Sequence, residues 1–101
     1  MNRQEHLLTC LAEEAGEVVQ AVGKALRFGL KDGYPGTDRT NENDLKIEMA
    51  QLRAVFMMLM DEGFLTLEDD EIEKGNAVIK AKVAKVNEYM AYAIRRGALV
   101  L

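Results

Sequence analysis

Apolar residues recur at helical spacing over three stretches of the chain. From about Arg3 to Phe28, the positions Leu7, Leu8, Leu11, Ala15, Val18, Val19, Val22, Ala25 and Leu26 form one stripe, which predicts a long amphipathic helix. Gly16 and Gly23 interrupt it. Each weakens a helix by up to about 1 kcal/mol relative to Ala, so close approach of another helix or a ligand is expected there. Residues 29–40 then break the pattern with two glycines flanking Tyr34-Pro35 and with Asp and Thr nearby, which is turn chemistry and not a strand. So long a connection reads either as a mobile surface loop or as a loop that contacts a ligand.

Asn41 followed by Asp44 reads as an N-cap with an acidic third position, opening a second helix from about Glu42 to Glu62 that Gly63 ends. Its middle, Ile47 to Met60, is apolar almost all round apart from Glu48, Gln51 and Arg53. An all-round apolar helix is a buried one, and a chain this short cannot wrap it alone, so burial against a second subunit is expected. Met49, Met57, Met58 and Met60 fit adaptable core filling. A third helix is predicted from a Thr66-x-x-Asp69 capping box to about Arg96, with Ile72, Ile79, Val83, Val86, Met90 and Ile94 as its stripe and Gly75 as the place for a bend or break. The apolar tail 97–101 is expected either docked on a neighbour or frayed. The expected fold is therefore one all-α domain over 1–101, a bundle of two long helices and a third, completed by oligomerisation.

Composition supports a folded helical chain: of 101 residues, 49% are apolar and 30% charged, with one Pro and no Trp. A net charge of −4 argues against nucleic acid as a partner, because phosphate neutralisation needs a basic surface. No apolar run reaches membrane-spanning length, so no membrane partner is expected. The single Cys10 has no partner for an internal disulfide and the chain shows no signal peptide, which together point to a cytoplasmic protein. Cys10 reads as a small packed apolar residue and His6 as a surface residue. Acid is concentrated in residues 61–73, while Lys74, Lys80, Lys82, Lys85, Arg95 and Arg96 make the last third basic with only Glu88 opposing them.

The chemistry concentrates in carboxylates. On a helix, Glu13, Glu14 and Glu17 crowd one side, and none has a basic residue three or four positions on. Glu48 stands in an apolar segment whose neighbours at i−4 and i+3, Asp44 and Gln51, are not basic. A carboxylate so placed must be protonated, paired or bound to metal. If the first two helices pack antiparallel, Glu14 and Glu17 can face Glu48 and Gln51. Four oxygen donors on facing helices suit a hard cation such as Mg²⁺ or Mn²⁺, whereas His and Cys are too scarce for zinc.

Glu13-Glu14-x-x-Glu17, then Gly23-Lys24-Ala25-Leu26-Arg27-Phe28-Gly29, then Glu48-x-x-Gln51 on a second helix, resembles the MazG-like all-α nucleoside triphosphate pyrophosphohydrolase superfamily. The resemblance spans nearly the whole chain. It implies hydrolysis of a nucleoside triphosphate to the monophosphate and pyrophosphate, with Mg²⁺ on Glu14, Glu17, Glu48 and Gln51 and with Glu13 orienting or deprotonating the attacking water. Lys24, Arg27, Lys82 and Lys85 would meet the triphosphate, and Asn87 would read a base or sugar. Phosphoribosyl-ATP pyrophosphohydrolysis and a dUTPase-like activity belong to the same scaffold, and helix pairing is expected to assemble the chain into a dimer or tetramer. One position departs from the pattern: Gln51 stands where the superfamily usually carries a metal-binding Asp, which removes one negative charge. The alternatives are a non-catalytic nucleotide-binding or regulatory helical oligomer, weakened at Gln51, and a structural coiled-coil adaptor.

Overall fold

A computed structural model describes residues 1–100, and it is all-helical. Three helices follow in order: α1 (Arg3–Phe28), α2 (Asn41–Asp61) and α3 (Glu71–Arg95). The described chain divides into two compact units, residues 1–66 with α1 and α2, and a second beginning at Leu67 with α3. None of the three helices is long and apolar enough to cross a membrane.

α1 covers the predicted span. Asn2 caps it: its side chain accepts from the Glu5 backbone N–H while the Glu5 side chain accepts from that of Asn2, a reciprocal capping box. At the other end Gly29 donates its N–H to the Ala25 carbonyl. α2 starts differently from the sequence reading. Thr40, not Asn41, is the N-cap, its hydroxyl accepting from the Asn43 N–H. Asn41 becomes the first helical residue and is buried, with Nδ2 donating to the Gly29 carbonyl at 2.9 Å. That bond ties the start of α2 to the end of α1. Gly63, at φ 76°, follows the C-cap Glu62 in the left-handed conformation that a side chain would strain.

α1 and α2 pack antiparallel. Arg3, at the start of α1, forms a two-pronged pair with Glu62 at the end of α2 (2.5–2.7 Å). The register that sets Arg3 beside Glu62 also sets Glu17 beside Glu48, about four turns further along each helix. Leu7, Ala21 and Leu59 are buried in this unit, and Leu59 is fully enclosed.

Within one chain α2 keeps much of the apolar surface for which the sequence expects a second subunit. Ile47, Met49, Phe56, Met57 and Met58 stay 43–52% exposed within the chain, while Met60 is half-buried. Gly16 and Gly23 meet nothing of this chain either: a Cβ at either position would have open space around it. Cys10 is half-buried with its Sγ 3.6 Å from Nε2 of the exposed His6 one turn earlier.

In the second unit α3 runs unbroken through Gly75, so of the expected bend or break the break does not occur. A glycine in mid-helix lowers stability without forcing a kink. The Thr66-x-x-Asp69 capping box does not form; Asp70 is the N-cap and makes no side-chain cap bond, and Lys74 instead pairs with Glu68 and Asp70 across the first turn. At the C-terminal end Gly97 turns the chain back, and the N–H groups of Ala98 and Leu99 both donate to the Ala93 carbonyl. The start of the tail is thus stitched to its own helix. Leu101 lies outside the described residues. No residue of α3 is buried.

Candidate metal centre and the adjoining cleft

Spacing and register together build the centre. Glu14 and Glu17 lie one turn apart on α1, Glu48 comes from α2, and carboxylate oxygens of all three lie within 4.8 Å of one another. Among the described residues no Lys or Arg nitrogen lies within ion-pairing distance of any of them. One oxygen of Glu14 and one of Glu48, the Oε2 atoms, are shielded from water and have no hydrogen-bond partner. Orphaned anionic oxygens of this kind are costly unless they are protonated or bound to a cation.

Titration follows the same geometry. Burial raises the Glu14 carboxyl above its ordinary value, with the charges of Glu17 and Glu13 adding to the effect. Hydrogen bonding with Glu17 is the largest cause of the rise at Glu48, followed by burial and the charges of Glu17, Glu14 and Asp44. All the donors are hard oxygens and all carry negative charge when ionised. That set fits Mg²⁺ or Mn²⁺ and excludes a soft metal.

Beside the three carboxylates lies a cavity of about 250 Å³, bordered by Glu17, Glu48, Gln20, Asp44, Lys24 and Arg39. A second cavity of about 310 Å³ shares Lys24, Arg39 and Asp44 with the first and continues to Phe28, Asp32 and Tyr34. Arg39 stands where the two meet. Its Nε and Nη2 donate to the two oxygens of Asp44 at 3.2 and 3.1 Å, and its guanidinium carbon lies 5.7 Å from the centre of the Tyr34 ring.

The loop forming the outer wall is ordered by its own backbone. Tyr34 N–H donates to the Arg39 carbonyl, Thr37 N–H to the Tyr34 carbonyl, and Asn41 N–H to the Asp32 carbonyl. A single antiparallel bridge links Gly33 to Thr40. At Gly33 the Arg39 carbonyl occupies the place a Cβ would take, so glycine is required by close approach of backbone. Lys31 pairs with Glu42 at 2.5 Å and closes the loop from the other side. The segment thus forms the outer wall of the cleft.

The remaining expected site residues are distributed unevenly. Glu13 is exposed on α1 next to the cluster, close enough for its charge to act on Glu14. Gln51 is exposed on α2, one turn beyond Glu48. Lys24 borders both cavities, whereas Arg27 is turned over the ring of Phe28, 5.5 Å from its centre. Lys82, Lys85 and Asn87 are exposed on α3 in the second unit, where Lys85 Nζ lies 5.9 Å from the Tyr89 ring centre. The sequence reading missed Arg39 and Tyr34. A cation just before a helix whose first turn carries Asp44 was the available signal, but turn-rich composition hid it. Comparison of the chain with protein-family models, with curated proteins and with solved structures finds no match.

Proposed function

We propose that the chain is a Mg²⁺-dependent nucleotide pyrophosphohydrolase that converts a nucleoside triphosphate to the monophosphate and pyrophosphate. The observation that carries this reading is the set Glu14, Glu17 and Glu48, drawn from two helices, without a basic partner and with two shielded, unpartnered oxygens. The resemblance of Glu13-Glu14-x-x-Glu17 and Glu48-x-x-Gln51 to the MazG-like pattern supplies the reaction. Glu14, Glu17 and Glu48 would hold the cation, and Gln51 offers a neutral carbonyl oxygen one turn further on. Bound there, Mg²⁺ or Mn²⁺ supplies charge neutralisation on the polyphosphate and on the departing pyrophosphate.

The side chains do the rest. Glu13 accepts a proton from a water whose oxygen forms the new bond to the α-phosphorus, while the bond from that phosphorus to the pyrophosphate oxygen breaks in line. Lys24, on the cavity wall, meets phosphate oxygens as a point charge. Copies associate through the apolar surface that α1 and α2 leave uncovered, an open groove of about 840 Å³ bordered by Leu11, Ala15, Met49, Leu52, Phe56 and Met57.

The test is pyrophosphate release by the full chain from a panel of ordinary and modified nucleoside triphosphates with Mg²⁺, alongside the Mg²⁺-dependent shift in Tm. Release from at least one nucleotide and a rise in Tm with Mg²⁺ are expected. Absence of both ends the enzyme reading. The exposed, uncharged Gln51 favours one second reading, a nucleotide-binding protein with little turnover. Creation of activity only by Gln51→Asp would establish it.

A further inference from the structure

Arg39, Lys24 and Asp44 border both cavities and join them into one cleft that begins at the carboxylates and ends at exposed aromatic rings. At the carboxylate end the wall offers Lys24 and Arg39, the two cations common to both cavities. At the far end Tyr34 and Phe28 are 67% and 61% exposed, with the guanidinium of Arg39 over the first ring and that of Arg27 over the second. The 310 Å³ of the outer cavity is the scale of a small-molecule site.

The ion pair of Arg39 with Asp44 is well aligned but accessible. The Arg39 side chain keeps 60% of its surface and Asp44 keeps 21%. Such a pair contributes little to stability, so its guanidinium fork can be taken over by an anion of higher charge without a large cost. A polyphosphate is that anion. The fork donates to two of its oxygens in the plane it now presents to Asp44.

We propose that the cleft takes a nucleotide lengthwise, with the phosphates between Lys24 and Arg39 beside the carboxylates and the base against Tyr34 and Phe28, and that Arg39 exchanges Asp44 for phosphate on binding. This rests on the pyrophosphohydrolase reading and adds to it the direction of the substrate and the residue that recognises the polyphosphate. Arg39 takes the role that the resemblance implied for Arg27, whose guanidinium lies over Phe28.

The test uses the full chain and two probe types, the four α,β-imido deoxynucleoside triphosphates and inorganic tripolyphosphate, each titrated with Mg²⁺ by calorimetry. Arg39→Gln is expected to weaken both probe types by roughly 10- to 100-fold, the range for a lost charged hydrogen-bonding contact, with Arg39→Lys intermediate. Tyr34→Leu is expected to weaken the nucleotides by about tenfold and to leave tripolyphosphate unchanged, because only the nucleotides carry a base to stack. Circular dichroism of each variant checks that the helices persist. If Arg39→Gln binds both probe types as tightly as the parent chain, or if Tyr34→Leu weakens tripolyphosphate as much as nucleotides, the assignment is overturned. It is overturned equally if the parent chain binds none of the probes. Binding with the expected pattern but without pyrophosphate release from hydrolysable nucleotides would retain the cleft and reject the hydrolase.

Discussion

The two units use the same kind of helix and reach opposite outcomes. α1 and α3 are of similar length, 26 and 25 residues, and each carries an apolar stripe at helical spacing. α1 has α2 against it in antiparallel register, so Leu7, Ala21 and Leu59 leave water. α3 buries no residue, and Ile72, Ile79 and Val83 remain 55–81% exposed. An apolar stripe states that a helix needs a partner; it does not say which one. Only the unit with a helix pair holds side chains from distant positions in a fixed arrangement, and the candidate site is there.

Substitutions of core against stripe give the largest separation. Leu59→Ala should cost about 2–5 kcal/mol by urea denaturation, since it opens a cavity at a fully enclosed position. Val78→Ala on α3, 69% exposed, should stay within about 0.5 kcal/mol. Ile79→Ala sharpens the contrast: a loss above that of Val78→Ala, growing with protein concentration, would identify α3 as a surface covered by a second copy.

Within the first unit the carboxylates of Glu14, Glu17 and Glu48 repel one another when ionised, and the proposed cation would relieve that repulsion. Glu48→Gln should raise Tm in metal-free buffer, abolish the Mg²⁺-dependent rise and lower pyrophosphate release by about a hundredfold or more. A Mg²⁺ response equal to that of the parent chain would remove Glu48 from the site. Gly33→Ala should cost about 1–3 kcal/mol, because its Cβ meets the backbone carbonyl of Arg39, and should weaken nucleotide binding while helicity persists.

Glu48 on α2 and Glu62 at its C-cap provide a comparison by pH. Hydrogen bonding to Arg3 lowers the Glu62 carboxyl below its ordinary value of 4.5. Its stabilising contribution is therefore present above that value and is lost as pH falls through the lowered folded pKa. Glu48 is raised above 4.5, so the folded state holds the proton longer. Its contribution is present below the ordinary value and is lost as pH rises through the raised folded pKa. Urea titrations over roughly pH 3 to 7 without metal should show the acid-side loss reduced in Glu62→Gln and the loss on raising pH reduced in Glu48→Gln. Parallel curves for both variants and the parent chain would contradict this assignment.

The smallest effect is expected at the helix glycines. A Cβ at Gly16, Gly23 or Gly75 meets nothing in the chain, so each Gly→Ala change should stabilise by about 0.4–1 kcal/mol. If Gly16→Ala or Gly23→Ala stabilises the free chain yet weakens nucleotide binding or self-association, the close approach expected from sequence comes from outside the chain.

Periodicity and turn chemistry were enough to locate three helices, including both ends of α1, because these signals are local. Glu48 was also legible, since a carboxylate among apolar neighbours conflicts with its surroundings whatever the fold. Helix starts were less so: Thr40 and Asn41 are both good caps, and the choice went to Thr40 because Asn41 is spent on the Gly29 carbonyl. Tertiary structure supplied the antiparallel register on which the meeting of Glu14 and Glu17 with Glu48 depends, and it alone decided that Arg39 rather than Arg27 borders the cleft and that Gly33 lies under the Arg39 carbonyl. Each depends on helix register and on a loop closed by its own hydrogen bonds, which set distances between residues that local sequence leaves unrelated.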